Sequence, residues 1–101
     1  MARLDVYPMP GPRGVGYVLN VQASLLDHLG TRVVVPLVPA ERTSPPIKEL
    51  NPVFDIDGEP HVMVTQALAA VPLNELKRAR FSLDTHHDAI TRALDILLIG
   101  Y

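Results

Sequence analysis

The chain has 101 residues, and its nine Lys and Arg against eleven Asp and Glu leave a net charge of −2 with a pI near 6.0, a balance that argues against a nucleic-acid partner. A composition 48% hydrophobic and 20% charged excludes a disordered chain, and no uncharged apolar stretch approaches the roughly 18 residues of a membrane span. The absence of cysteine excludes a disulfide framework, a thiolate metal site and a cysteine nucleophile.

Folding a chain of this mass leaves about 5,600 Å² of roughly 16,000 Å² exposed, enough for one modest core, so residues 1–101 are expected to form a single domain. Asp5 within a short N-terminal apolar run fits no secretory signal, and a cytoplasmic location is the expectation. Ten prolines point to loops and edges rather than long helices.

The elements follow in chain order. Residues 4–7 alternate apolar and polar and predict a strand; Pro8, Pro10, Gly11, Pro12, Gly14 and Gly16 then make a loop before a second strand over 17–22. Residues 31–38 contain Val33-Val34-Val35, stiff at χ1 and suited to a pleated sheet, with Pro36 expected to demote the end of this strand to an edge or bulge. Residues 39–52 hold four prolines and read as a long loop, in which 47–50 could make one helical turn. Asp57-Gly58 between 53–56 and 61–66 predicts a hairpin with a tight turn. Residues 67–83 predict a short strand plus loops. From Asp84 the period changes: Thr85 and Asp88 have capping-box spacing, and Ala89, Ile90, Ala93, Leu94, Leu97 and Leu98 recur at helical steps over about four turns, ended by Gly100.

Most local patterns carry no chemistry. Gly11-x-x-Gly14-x-Gly16 lacks the dinucleotide-loop spacing and the strand and helix that must flank it. Asp55-Ile56-Asp57-Gly58-Glu59 places its glycine too early for a calcium loop and reads as a turn. His86 and His87 diverge by about 100° on a helix, and His28 and His61 lack spaced companions, so no metal site is expected. No catalytic constellation and no cofactor site emerges. Ile96-Leu97-Leu98-Ile99, by contrast, covers nearly the whole circumference of the last helical turn and cannot face one core; such a turn calls either for a partner, its own copy or another protein, or for a loop under which the terminus is tucked.

Read in order, the residues resemble the CcdB toxin family. The resemblance runs nearly end to end through Val6-Tyr7, Val21-Gln22 with Leu25-Leu26-Asp27, Gly30-x-Arg32-x-Val34-x-Pro36-Leu37, Leu50-x-Pro52-Val53, Ile56, Glu59, Met63, Thr65, Ala69-x-Val71-Pro72 and a helix ending in Gly100 plus one residue. It implies an α+β fold, an antiparallel sheet of SH3-like barrel type with a small extra sheet and a C-terminal helix at a homodimer interface. It implies a non-enzymatic toxin of plasmid or chromosomal toxin–antitoxin modules that binds the DNA gyrase A subunit and traps the cleaved gyrase–DNA complex. The family's Trp-Gly-Ile terminus corresponds here to Ile99-Gly100-Tyr101, and its other gyrase-binding positions to Leu25, Leu26, Asp95 and Leu98. A CcdA-like antitoxin would fold on the toxin near Pro10, Gly11, Arg13, Glu41, Arg42 and Ile47, and the complex would repress its own operon. Two alternatives stand beside this reading. One is a MazF-like endoribonuclease using the Lys77-Arg78-x-Arg80 cluster and His86; the other is a non-toxic homologue that binds only its antitoxin.

Overall fold

The computed structural model describes residues 2–9 and 16–101. Among these residues, seven antiparallel strands form one curled half-barrel sheet: β1 (Asp5–Pro8), β2 (Tyr17–Asn20), β3 (Thr31–Pro39), β4 (Val53–Ile56), β5 (Glu59–Met63), β6 (Ala69–Pro72) and β7 (Phe81–Ser82). Their order is β4-β5-β3-β2-β1-β7, with β6 paired to β3 beside β5 rather than set apart in a second sheet. One helix, α1 (His87–Leu98), follows.

The nine-residue β3 organises the sheet. Its Val34 to Leu37 stretch meets β2 on one edge, while its other edge takes β6 along Thr31 to Val34 and β5 along Leu37 to Pro39. Pro36 lies at the changeover. Its carbonyl accepts the Val64 N–H at 2.9 Å, and its nitrogen faces the same side, where neither β5 nor β6 supplies a paired residue. Pro36 therefore breaks no ladder hydrogen bond, and the strand runs on to Pro39 instead of ending in the expected edge or bulge.

Strand alternation sends side chains to two faces. Val6, Leu19, Val35, Leu37 and Met63 join Phe54, Ile56, Leu83 and the helix residues Ile90 and Ala93 in the main core. Tyr7, Val18 and Val34 point to the other face, where Leu76 and Val71 cover them in a smaller cluster. Helical spacing explains α1: Ile90, Ala93 and Leu94 form the stripe against the sheet, and Arg92 lies on the exposed side.

Local signals and structure agree most closely at the hairpin. Asp57 and Gly58 have φ +56° and +81°, the two positive values of a type I′ turn, and Glu59 pairs with Ile56, so β5 begins two residues before the expected His61. Residues 47–50 turn back, closed by the Asn51 N–H to the Ile47 carbonyl at 2.8 Å, but the left-handed Glu49 at φ +69° makes this an isolated turn rather than the expected turn of helix. The helix entry differs. Asp84–His86 makes a 3-10 turn, α1 starts at His87, and no side chain caps it, so Thr85 and Asp88 form no capping box. The Leu83 N–H is bound to the Leu4 carbonyl at 2.9 Å and the His86 N–H to the Leu83 carbonyl, which fixes this entry through β1 rather than through a cap.

Tyr7 is buried in the smaller cluster, and its phenol pKa is raised, first by desolvation and then by the Asp5 carboxylate, with Arg32 opposing. A raised phenol pKa favours the neutral folded form, so this contribution is intact below the unfolded tyrosine pKa of about 10 and is lost as pH rises through the folded value. Urea midpoints measured from pH 7 to 11 are expected to fall more steeply above pH 10 for the native protein than for Tyr7→Phe.

Candidate functional site

Among the described residues, the large apolar side chains left exposed cluster in two places on different elements, with Ile47 and Val53 exposed singly. The first is the β2–β3 connection. A single 3-10 turn over Ser24–Leu26 carries on through the Asp27 N–H to the Ser24 carbonyl and the Leu29 N–H to the Leu26 carbonyl, both at 3.1 Å. Buried polar side chains underneath take the loop's carbonyls. Gln22 Nε2 donates to the Leu26 carbonyl at 3.0 Å; Arg32 Nη2 donates to that of Asp27 and Nη1 to that of Leu29, both at 2.8 Å. With the backbone turned inward, the side chains turn out, and Leu25 is 85% exposed, flanked by Leu26 and Leu29.

The second is the end of α1. The Ile99 and Gly100 N–H groups both return to the Asp95 carbonyl, at 2.8 and 3.0 Å, and Gly100 also reaches that of Ile96 at 3.1 Å. Gly100 has φ +95°, the left-handed conformation that ends helices. Beyond the half-buried Asp95, Ile96 and Leu97, the chain presents Leu98, Ile99 and Tyr101, the last 87% exposed. The helix itself packs against the Thr65–Ala67 and Asp84–His86 turns.

The residues expected to contact an antitoxin divide between two clefts and a segment outside the description. Glu41 and Arg42 sit on a 3-10 turn after β3 and line a cleft of about 280 Å³ with Tyr17, Asp57, Glu59 and the buried His61. His61 Nδ1 lies 3.0 Å from the Glu59 carbonyl, and its ring meets Tyr17 edge-on with centroids 5.6 Å apart. Ile47 is exposed beside a second cleft of about 230 Å³ between residues 43–47 and β5. Asn51 builds that cleft's wall: its Oδ1 accepts the Ile47 N–H at 3.0 Å, and its Nδ2 donates to the Met63 carbonyl at 3.0 Å and Gln66 Oε1 at 2.8 Å. Pro10, Gly11 and Arg13 lie outside the described residues.

Among the described residues, no three His, Asp or Glu side chains gather to hold a metal ion, and no helix is long and apolar enough to cross a membrane. The ribonuclease alternative drew on Lys77 to Arg80 and His86. Those basic residues are exposed on the approach to β7, and His86 instead packs on Phe54 with ring centroids 4.8 Å apart. Sequence reasoning overlooked Gln22, Leu29 and Asn51 as builders of these surfaces. Gln22 carried a usable signal, since a polar side chain closing a β-rich run just before an apolar turn has backbone groups to satisfy.

Glu49 ties the loop beneath the second cleft to the helix through an ion pair with Arg92, and it does so from φ +69°. An exposed pair is worth about 0.2–1 kcal/mol, and a non-glycine left-handed residue costs about 1–2 kcal/mol. Arg92→Ala is thus expected to lower unfolding free energy by less than about 1 kcal/mol, while Glu49→Gly leaves it unchanged or raises it, both measurable by urea titration.

The architecture is shared with known toxins. An endoribonuclease solved in complex with its cognate antitoxin, from a mycobacterial species, superposes with a TM-score of 0.76 at 18% identity, covering 97% of this chain and 94% of that one. The Mycobacterium tuberculosis toxin MazF-mt6 gives 0.71 at 16% identity, over 92% of this chain and 94% of that one. At these identities the likeness is one of fold. The sequence itself matches the family described as CcdB protein over residues 3–100, and the chain belongs to that family.

Proposed function

We propose that this protein binds the DNA gyrase A subunit through the end of α1 and the Leu25–Leu29 loop and traps the cleaved gyrase–DNA complex. As a CcdB family member it is a type II toxin of a toxin–antitoxin module, and the finer target is carried by one observation. Leu98 at the last position of α1, Ile99 after it and Tyr101 beyond the left-handed Gly100 are exposed rather than used by the core.

The proposed action is binding without catalysis. Burying a Leu or Ile side chain contributes about 1.5–3 kcal/mol, and three or four such groups from one chain are offset by the 4–15 kcal/mol that association costs. Two copies linked as a homodimer double the apolar contact for one association event, which is the energetic argument for a dimeric toxin. Asp95, half-buried at the base of the helix end, adds a carboxylate that can accept a hydrogen bond from the target. A CcdA-like antitoxin as the neutralising partner is supported by the fold neighbour solved with its own antitoxin, and the clefts beside Glu41, Arg42 and Ile47 are the proposed contacts.

Deletion of Ile99, Gly100 and Tyr101 is expected to abolish binding to purified gyrase A while leaving thermal stability and antitoxin affinity nearly unchanged. Ile99→Trp supplies a ring able to stack on a cation and should tighten gyrase binding by up to about tenfold. An unfolded truncation product would return the terminus to the core, and specific RNA cleavage by the native protein, lost on His86→Ala or Arg80→Ala, would favour the ribonuclease alternative. Sedimentation at micromolar concentration is expected to show a dimer; a monomer would remove the doubled contact.

A further inference from the structure

Arg32 is 3% exposed, and a guanidinium so placed must have its donors met. On β3 it shares the face of Val34 and Tyr7, opposite the main core. Its fork spans the β2–β3 loop: Nη1 donates to the Leu29 and Thr31 carbonyls and Nη2 to that of Asp27, all at 2.8 Å. Gln22 completes the arrangement from the other side. Its amide donates to the Leu26 carbonyl, and its Oε1 accepts the Val33 N–H at 2.9 Å. Asn20 in turn accepts the Gln22 N–H at 3.1 Å through Oδ1, which fixes the stem.

These bonds hold the carbonyls of Leu26, Asp27 and Leu29 inward, and they are what keeps the apolar side chains of the same loop in water. A loop free to turn would bury some of that surface against its own strands. Arg32 Nε and Asp27 Oδ1 are both buried without a hydrogen bond and stand 3.8 Å apart, so the ion pair alone does not account for the burial of Arg32; the backbone carbonyls do. Lysine cannot replace it, because one ammonium lacks the planar fork that reaches three carbonyls from a single side.

We infer that Arg32 and Gln22 are positioning residues for target binding: they pre-form the Leu25–Leu26–Leu29 ridge so that docking does not have to order it. The inference rests on the gyrase reading. Immobilising three leucine-bearing positions on binding costs affinity that a pre-formed ridge does not lose, so at least about tenfold weaker binding is expected when the fork is removed.

The experiment compares Arg32→Lys and the milder Gln22→Leu with Ile90→Val, a core variant chosen to lower stability at a distance from the loop. Leucine methyl spectra and gyrase A affinity are recorded for each at a temperature where all three are folded. Arg32→Lys should move the Leu25, Leu26 and Leu29 methyls toward random-coil positions, leave the Leu94 methyls in place, and weaken gyrase A binding at least tenfold. Gln22→Leu should do the same to a smaller extent, and Ile90→Val should do neither. Unchanged loop spectra in both loop variants, or native affinity with a disordered loop, would overturn the inference. If Arg32→Lys does not fold, Gln22→Leu decides it alone. If the native protein fails to bind gyrase A, the gyrase reading falls together with the claim about affinity, while the loop spectra still decide whether Arg32 holds the ridge.

Discussion

The double pairing of β3 is the constraint on which the rest of the molecule depends. One strand carries β2 on one edge and both β5 and β6 on the other, so the hairpin bearing the Asp57-Gly58 turn, the β1–β2 unit and the short β6 all take their positions from it. Because its neighbours change at Pro36, the sheet can pass from β6 to β5 without a ladder bond being lost at the residue unable to donate one. The chain's two faces are then set by the alternation along Val34, Val35 and Leu37, and the helix is laid on the face that Val35 and Leu37 share.

Most buried polar side chains among the described residues stand near strand ends; His61, within β5, is the exception. Asn20, Gln22 and Arg32 serve the β2–β3 connection, and Asn51 and Thr65 serve the approach to β4 and the exit from β5. Each takes main-chain groups that a loop without regular pairing would leave unsatisfied, which is the condition under which such groups can be buried at all. The result is that the β2–β3 connection and the approach to β4 are held by side chains as well as by backbone pairing. The domain's apolar side chains can therefore be spent outside the core, on the leucine loop and the helix end.

What was legible in the sequence was what depends on neighbours in the chain. Asp57-Gly58 specifies its turn with two residues, and the spacing of Ile90, Ala93 and Leu94 specifies a helix and its buried face. The exposed end of that helix was legible for the same reason, since no one face can hold Ile96 to Ile99. The family resemblance extended the reading to the curled sheet. What escaped depends on distant partners. Residues 67–83 read as one short strand plus loops, yet they hold two, β6 and β7, four and two residues long, which exist because β3 and β1 offer them an edge. Pro36 reads as a strand breaker until the changeover beside it is known, and the Thr85–Asp88 spacing reads as a cap until the Leu4 carbonyl is seen to hold Leu83. The contribution of Arg32 to the candidate site escaped because its partners are main-chain carbonyls, which leave no pattern of residue types, whereas Gln22 carried a signal in its place at the end of a β-rich run.

The open margin of the sheet at β4 has a consequence for how the protein behaves in a crowded solution. Val53 and Asp55 alternate outward there while Phe54 and Ile56 point in, so this margin, without a second partner strand among the described residues, carries a carboxylate near its middle. Two copies that tried to extend their sheets through this margin would bring Asp55 close to Asp55 as their backbones met, and the repulsion opposes end-to-end growth into a fibre. At the opposite margin β7 offers only two residues, too short a template for a third chain. Both of these margins are therefore poor templates for strand-to-strand growth.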